Sequence, residues 1–215
     1  MEDIPQNKSN IYIVGAGGFG REIESWLGMI PEEQRTWRLI GYIDDNPNAL
    51  EGFPTSYKVL GKIEDFKFMP NDKVLLAIAD PDARENAFQI LNQRVELFTF
   101  VHPNAIIGKF TSIGEGSIIC PNTIISTNCK VGKCVIINIG SNIGHDCEIN
   151  NFCSIMANVD IGGNSVLGEG IFIGSGSTII PQRKIVDGVK IGAGSVVVRN
   201  IKKLGTYFGN PSAPI

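Results

Sequence analysis

Ile107-Gly108-Lys109-Phe110-Thr111-Ser112-Ile113-Gly114-Glu115-Gly116-Ser117-Ile118-Ile119 carries an aliphatic residue at every sixth position, and the pattern runs on without an insertion to Val197. The series is Ile107, Ile113, Ile119, Ile125, Val131, Ile137, Ile143, Ile149, Ile155, Ile161, Leu167, Ile173, Ile179, Ile185, Ile191 and Val197. Neither helix nor ordinary sheet periodicity produces it. The next residue is often Gly, as at Gly108, Gly114, Gly132, Gly144, Gly162, Gly168, Gly174 and Gly192. The residue two before is usually small: Thr111, Ser117, Thr123, Cys129, Ser141, Cys147, Cys153, Ser165, Ser177 or Ser195. In extended backbone residues i and i−2 share a face. Each hexad therefore points one large and one small side chain inward, and the glycine is expected to supply the corner. So short a strand cannot bury its own apolar face, so successive hexads must stack as coils of a parallel β-solenoid.

This pattern resembles the left-handed parallel β-helix of the hexapeptide-repeat acyltransferases, in which three hexads make one triangular coil. The handedness rests on that resemblance alone, because the general crossover rule favours the opposite hand. Five coils at the usual strand spacing form a prism roughly 25 Å long.

Upstream, the apolar run Ile11 to Val14 leads into Gly15-Ala16-Gly17-Gly18-Phe19-Gly20 and a helical stretch, Arg21 to Leu27. A second strand, Leu39 to Ile43, ends in Asp44-Asp45, and a third run, Val74 to Ala79, precedes a helix-like segment from Asp82 to Asn92. Glu96 to Val101 reads as a last strand leading into the prism. Alternating strands and helices of this size imply a small parallel sheet, half of a Rossmann-like fold. The expected organisation is an α/β domain over 1–101 and a β-helix over 102–215. The Gly15, Gly17, Gly20 spacing lets backbone N–H groups and a helix N-terminus approach a phosphate, or it merely closes a strand–helix turn. With only about four strands, a mononucleotide fits better than a dinucleotide. Asp44 and Asp45 suit either a ribose contact or a turn.

With 215 residues and a formal net charge of −3, and no basic block, the chain is not expected to bind nucleic acid. No long apolar stretch predicts membrane insertion, and a cytoplasmic location is the expectation. Five cysteines fit no disulfide framework; Cys129, Cys147 and Cys153 fall in the small inward slot and behave there as small apolar groups. Two histidines, His102 and His145, cannot supply a three-imidazole metal site, so no metal is expected. His145 lies outside the inward slots, beside Asp146, and the position eighteen residues on is Gly163. The space beside the imidazole is thus expected to be open to a substrate, with Asp146 orienting a general base. Arg183, Lys184, Lys190, Arg199, Lys202 and Lys203 set six positive charges against Asp187, which suits an anionic cofactor or a solvated edge.

The ordered combination of Tyr12 to Gly20, Tyr42-Ile43-Asp44-Asp45, Ile143-Gly144-His145-Asp146-Cys147 and Gly209-Asn210-Pro211-Ser212-Ala213 resembles the nucleotide-aminosugar N-acetyltransferases related to the sialic-acid O-acetyltransferases, over nearly the whole chain. The resemblance implies a homotrimer that binds acetyl-CoA in grooves between prisms, while the N-terminal domain holds a UDP- or dTDP-linked 4-amino-4,6-dideoxysugar. It makes His145 the general base and Asp146 its orienting carboxylate, with Asn138 a nearby polar contact. Gly163, Ser175 and Ala193 would meet the acetyl-pantetheine arm; Gly17, Phe19, Asp44 and Asp45 would line the nucleotide side. Some members have His where this chain has Phe19 and Ser154, which leaves His145 to carry the proton alone. Acetylation of a hydroxyl, and a non-catalytic trimeric nucleotide-binding scaffold, stand as alternatives.

Overall fold

The computed structural model describes residues 8–215; the first seven residues of the expected N-terminal domain lie outside the described residues. Two compact units form: one takes in the described residues up to Ile78 together with Asn86–Phe98, the other Ala79–Glu85 together with Thr99–Ile215.

The first unit is built on a four-stranded parallel sheet in the order β2-β1-β3-β4, from β1 (Ser9–Val14), β2 (Trp37–Ile43), β3 (Asp72–Leu76) and β4 (Glu96–Leu97). Val14 pairs with Ile43 on one side and Leu76 on the other. Ile11, Ile13 and Val14 are fully buried, the continuous apolar run expected of a central parallel strand covered on both faces. Helix α1 (Gly18–Met29) follows β1 and buries Gly20, Ile23 and Leu27, the i, i+3, i+7 stripe of an amphipathic helix. Helix α2 (Pro81–Leu91) follows β3; its residues from Asn86 on belong to this unit and those up to Glu85, Arg84 among them, to the second.

The second unit is the β-helix. Two-residue strands stack in three parallel sheets of five, eight and six strands, and each pairs with the strand eighteen residues away, as Ile143 does with Ile161. Only the chain end departs from this, where Thr206–Phe208 pairs with Lys190–Ile191 and then antiparallel with Ala213–Pro214. The aliphatic column predicted from the hexads is the core: Ile125, Ile137, Ile143, Ile155, Ile161, Leu167 and Ile173 are at most 2% exposed. The run expected to be one strand from Glu96 to Val101 divides in two. Glu96–Leu97 closes the small sheet, whereas Phe100–Val101 pairs with Ile118–Ile119 and opens the eight-stranded face.

The small inward residues bond from coil to coil. The Ser117 hydroxyl donates to the Gly132 carbonyl at 2.8 Å and accepts the Val135 N–H at 3.0 Å; the Cys129 thiol donates to the Gly144 carbonyl at 3.1 Å. The corners differ from expectation. The glycine after each aliphatic does not turn the chain; the residue two further on does, with positive φ at Phe110, Asn122, Asn128, Cys134, Asp146, Phe152, Asn158, Asn164 and Gln182 as well as at several glycines. Gly114 and Gly144 serve close approach instead: a Cβ would lie 2.5 Å from the Gly132 carbonyl carbon and from the Gly163 nitrogen, respectively. A left-handed non-glycine residue costs ~1–2 kcal/mol. Burying an Ile contributes ~1.5–3 kcal/mol, so each hexad's inward side chain outweighs its corner.

The outward positions Ile118, Ile136 and Ser154 of the eight-stranded face are also buried. Arg84, in the first turn of α2, is fully buried against them. Its Nε donates to the Cys134 carbonyl at 2.8 Å, and its Nη2 to the Phe152 carbonyl at 2.7 Å and the Ser154 hydroxyl at 2.8 Å. Burial lowers its pKa to about 10, so it remains a cation at neutral pH. Among the described residues no helix is long and apolar enough to cross a membrane.

All five cysteines are buried, and burial pushes the Cys134 thiol up to about 12 and the Cys147 thiol up to about 11. Because the thiolate is the reactive species, intact-mass analysis should find the native protein unmodified by iodoacetamide at neutral pH, and five adducts after unfolding. Adducts on the native protein would contradict this structural role.

Candidate active site

The six-stranded sheet ends each rung in a four-residue corner, and the corner after Asn142–Ile143 carries the chain's exposed histidine. The stacked column is Thr127 and Asn128, then His145 and Asp146, then Gly163 and Asn164, locked by backbone bonds from Asp146 N–H to Thr127 O (3.1 Å) and from Asn164 N–H to His145 O (2.8 Å). Asp146 adopts φ 58°, the left-handed conformation that Asn and Asp tolerate best. Its Oδ2 lies 2.6 Å from His145 Nδ1. An ionised carboxylate only accepts, so the proton of the neutral ring sits on Nδ1 and Nε2 is left as an acceptor. The two side chains are 59% and 40% exposed.

Gly163 is the reason the imidazole lies where it does. A Cβ there would stand 2.8 Å from His145 Nε2 and 3.0 Å from Cε1. The space over Gly163, expected to be left for a substrate, is occupied by the ring itself, which rests against the glycine backbone. The Asp146 carboxyl is held below the usual carboxylate range, first by the Asn128 amide, which donates to Oδ1, and then by His145. It therefore stays ionised at neutral pH. His102 has another role: it is 7% exposed, its Nδ1 accepts the Asn104 N–H at 3.0 Å, and burial lowers its pKa.

Asn138, Ser175 and Ala193 are not grouped with His145 in one chain. They lie at corners after the eight-stranded sheet, on the other side of the six-stranded face from His145 and Gly163. The Asn138 Oδ1 accepts the Ile139 N–H at 2.6 Å, while Ser175 and Ala193 are exposed. Ser154 is fully buried, accepts from Arg84 and donates to the Ala79 carbonyl at 2.6 Å. The basic residues of the chain end make several separate contacts. Lys184 and Lys202 line a groove of about 390 Å³ with Asn150, Asp187 and Asn200; Lys190 faces Asp82 at 3.9 Å; and Arg183 bonds the Pro181 and Val198 carbonyls.

In the first unit, Gly15 (φ 98°) turns the chain out of β1, and a Cβ at Gly20 would overlap the Gly15 carbonyl oxygen. Gly17 caps α1 without a side-chain bond, and a Cβ there would meet nothing within 4 Å. Asp44 uses both oxygens on backbone: Oδ2 accepts the Ala16 N–H at 2.7 Å and Oδ1 the Asn46 N–H at 2.9 Å. Asp45 is exposed and accepts the Ile63 N–H at 3.4 Å. Phe19 is half-buried, edge-on to Trp26 at 6.4 Å. Sequence reasoning missed a half-buried cluster in which the Tyr42 hydroxyl and the Thr55 hydroxyl (2.8 Å) both donate to Glu24.

A family model described as the PglD N-terminal domain matches residues 10–91. The UDP-N-acetylbacillosamine N-acetyltransferase of Bacillus subtilis (strain 168) is 30% identical over 115 residues, 51% of this chain; the match takes in 50% of that curated relative, about half its length. The acetyltransferase domain of PglB from Neisseria gonorrhoeae FA1090 is 26% identical and superposes with a TM-score of 0.80 over 97% of this chain and 100% of that one. WeeI from Acinetobacter baumannii AYE is 30% identical, with a TM-score of 0.70 over 95% and 99% of the two chains.

The glycines of the β1–α1 turn separate into structural and open positions. Gly20→Ala should lower stability by roughly 1–3 kcal/mol, the cost of overpacking, whereas Gly17→Ala should leave Tm nearly unchanged. Thermal unfolding of the two variants checks this, and equal losses would contradict the division.

Proposed function

We propose, because the chain belongs to the PglD-type N-acetyltransferase family, that it moves an acetyl group from acetyl-CoA to the 4-amino group of a nucleotide-linked 4-amino-4,6-dideoxysugar. The observation that carries this reading is the exposed His145–Asp146 pair, with Nδ1 bonded to the carboxylate and Nε2 left as an acceptor. Nε2 would take a proton from the sugar amine as its nitrogen attacks the thioester carbonyl, and Asp146 would stabilise the imidazolium. The tetrahedral oxyanion would be met by a backbone N–H of the groove. As it collapses the C–S bond breaks, the C–N bond remains, and the imidazolium returns its proton to the departing CoA thiolate. An amine needs no enzyme nucleophile, and the buried thiols suit structural roles rather than an acyl-enzyme.

Gly163 would face the reacting thioester, and Ser175 and Ala193 the pantetheine arm. Among the described residues no acceptor lies within hydrogen-bond reach of the Ser175 and Ala193 N–H groups, which suits them to the amide carbonyls of pantetheine. Gly17, Phe19, Asp44 and Asp45 would form the nucleotide side, Gly17 because its open surroundings admit a phosphate and Asp45 through its exposed carboxylate. The panel that tests the reading contains both UDP- and dTDP-linked sugars.

Within the second unit, His145 and Gly163 on one side and Asn138, Ser175 and Ala193 on the other flank the six-stranded face, which also exposes Ile106 (61%) and Ile124 (42%). Three prisms around a threefold axis, six-stranded faces inward, would bring the His145 edge of one subunit to the Asn138, Ser175 and Ala193 edge of the next. Sedimentation should therefore give a trimer, and a monomer with full turnover would refute the shared site.

Thiol release from acetyl-CoA should require a nucleotide 4-amino sugar, and His145→Ala should lower kcat by about two to four orders of magnitude without loss of fold, since the side chain fills no inward slot. Asp146→Asn should cost less and keeps a residue that tolerates φ 58°. A folded His145→Ala variant with wild-type turnover would refute the catalytic assignment.

A further inference from the structure

We propose that Asn128 is the positioning residue of the His145–Asp146 pair: its side-chain amide, one coil earlier, holds Oδ1 of Asp146 so that Oδ2 faces Nδ1 of the imidazole. The proposal rests on the acetyl-transfer reading of that pair. Asp146 stands in a ladder of left-handed corner residues, Phe110, Asn128, Asp146, Asn164 and Gln182, spaced by eighteen. It is the ladder's one carboxylate and carries only acceptors. A donor must come from a neighbour, and Asn128 supplies it.

The amide is itself well placed to hold a direction. The Asn128 N–H donates to the Lys109 carbonyl at 3.0 Å, and the Asp146 N–H to the Thr127 carbonyl at 3.1 Å, so both backbones are fixed by the coil register. The Asp146 side chain, in contrast, is 40% exposed and has the torsional freedom of any surface carboxylate. Deleting the amide leaves Oδ1 to water and the carboxylate free to turn away from Nδ1. A free imidazole has no such partner to keep its proton on Nδ1, and a proton on Nε2 removes the acceptor that base catalysis needs.

Asn128 has φ 59°, so Asn128→Gly deletes the amide without straining the corner. Asn122→Gly, at φ 58° on a different corner, is the matched control. Nitrogen-15 shifts of the neutral His145 ring should show the Nδ1–H form in the wild type and in Asn122→Gly, and a shift towards Nε2–H in Asn128→Gly. The same variant should lose on the order of tenfold in kcat, as misorientation without loss of the base would, with KM for acetyl-CoA little changed. In an Asp146→Asn background Asn128→Gly should change kcat by less than about twofold, since coupled residues are not additive. An unshifted tautomer, an unchanged kcat, or the full loss repeated in the Asp146→Asn background would overturn the proposal. Turnover retained by His145→Ala would instead defeat the acetyl-transfer reading, and the tautomer comparison would still report whether Asn128 holds the carboxylate.

Discussion

Everything in the second unit depends on the stacking of inward aliphatic side chains eighteen residues apart, as in the column Ile125, Ile143, Ile161, Ile179, Val197. A slip of one residue would turn these side chains out and the neighbouring polar residues in, so the buried column specifies the register strongly. Once the register is set, so is every outward neighbour. His145 must lie over Gly163, and Asn128 must lie beside Asp146. The active-site candidates of this unit are therefore held by its core, although none of them belongs to it.

That dependence explains what could be read in advance. The hexads identified the inward positions, because burial of large apolar groups dominates the energetics and leaves a periodic trace. The corners are not legible in the same way, because two different demands on glycine look alike in a sequence. Gly144 is required by the approach of the Gly163 backbone, whereas the positive φ falls at Asp146. Asparagine at 122, 128, 158 and 164 was the available signal for the true turning point. Asn128 could likewise have been found by subtracting eighteen from Asp146.

Other contacts left no such trace. Arg84 reaches carbonyls 50 to 69 residues along the chain, and its carbonyl partners expose no side-chain identity for a sequence pattern to record. Ser154 reads as a simple outward residue of a hexad, and its burial follows only from the arrival of α2's first turn. In the sequence Asp44 suits a ribose contact or a turn residue. Its bonds to the Ala16 and Asn46 N–H groups show how one carboxylate can join β1's exit to β2's end, and they leave Asp45 the more available acid.

A rigid scaffold of this kind restricts where chemistry can be installed. Inward positions are filled, and the eight-stranded face is partly covered by Arg84's turn; the candidate base sits at a corner. At a corner the backbone conformation is left-handed, which admits Asn, Asp or Gly with least strain. A carboxylate beside a histidine can thus be placed at a corner at little cost, and the coil above supplies an amide to hold it. The same geometry limits the site: a convex corner has no walls of its own, and 59% of the imidazole is exposed. Under the acetyl-transfer reading, exclusion of water and capture of the pantetheine arm must come from a second edge. The exposed residues proposed for that work lie across the six-stranded face from His145, too far around the prism to close over it within one chain.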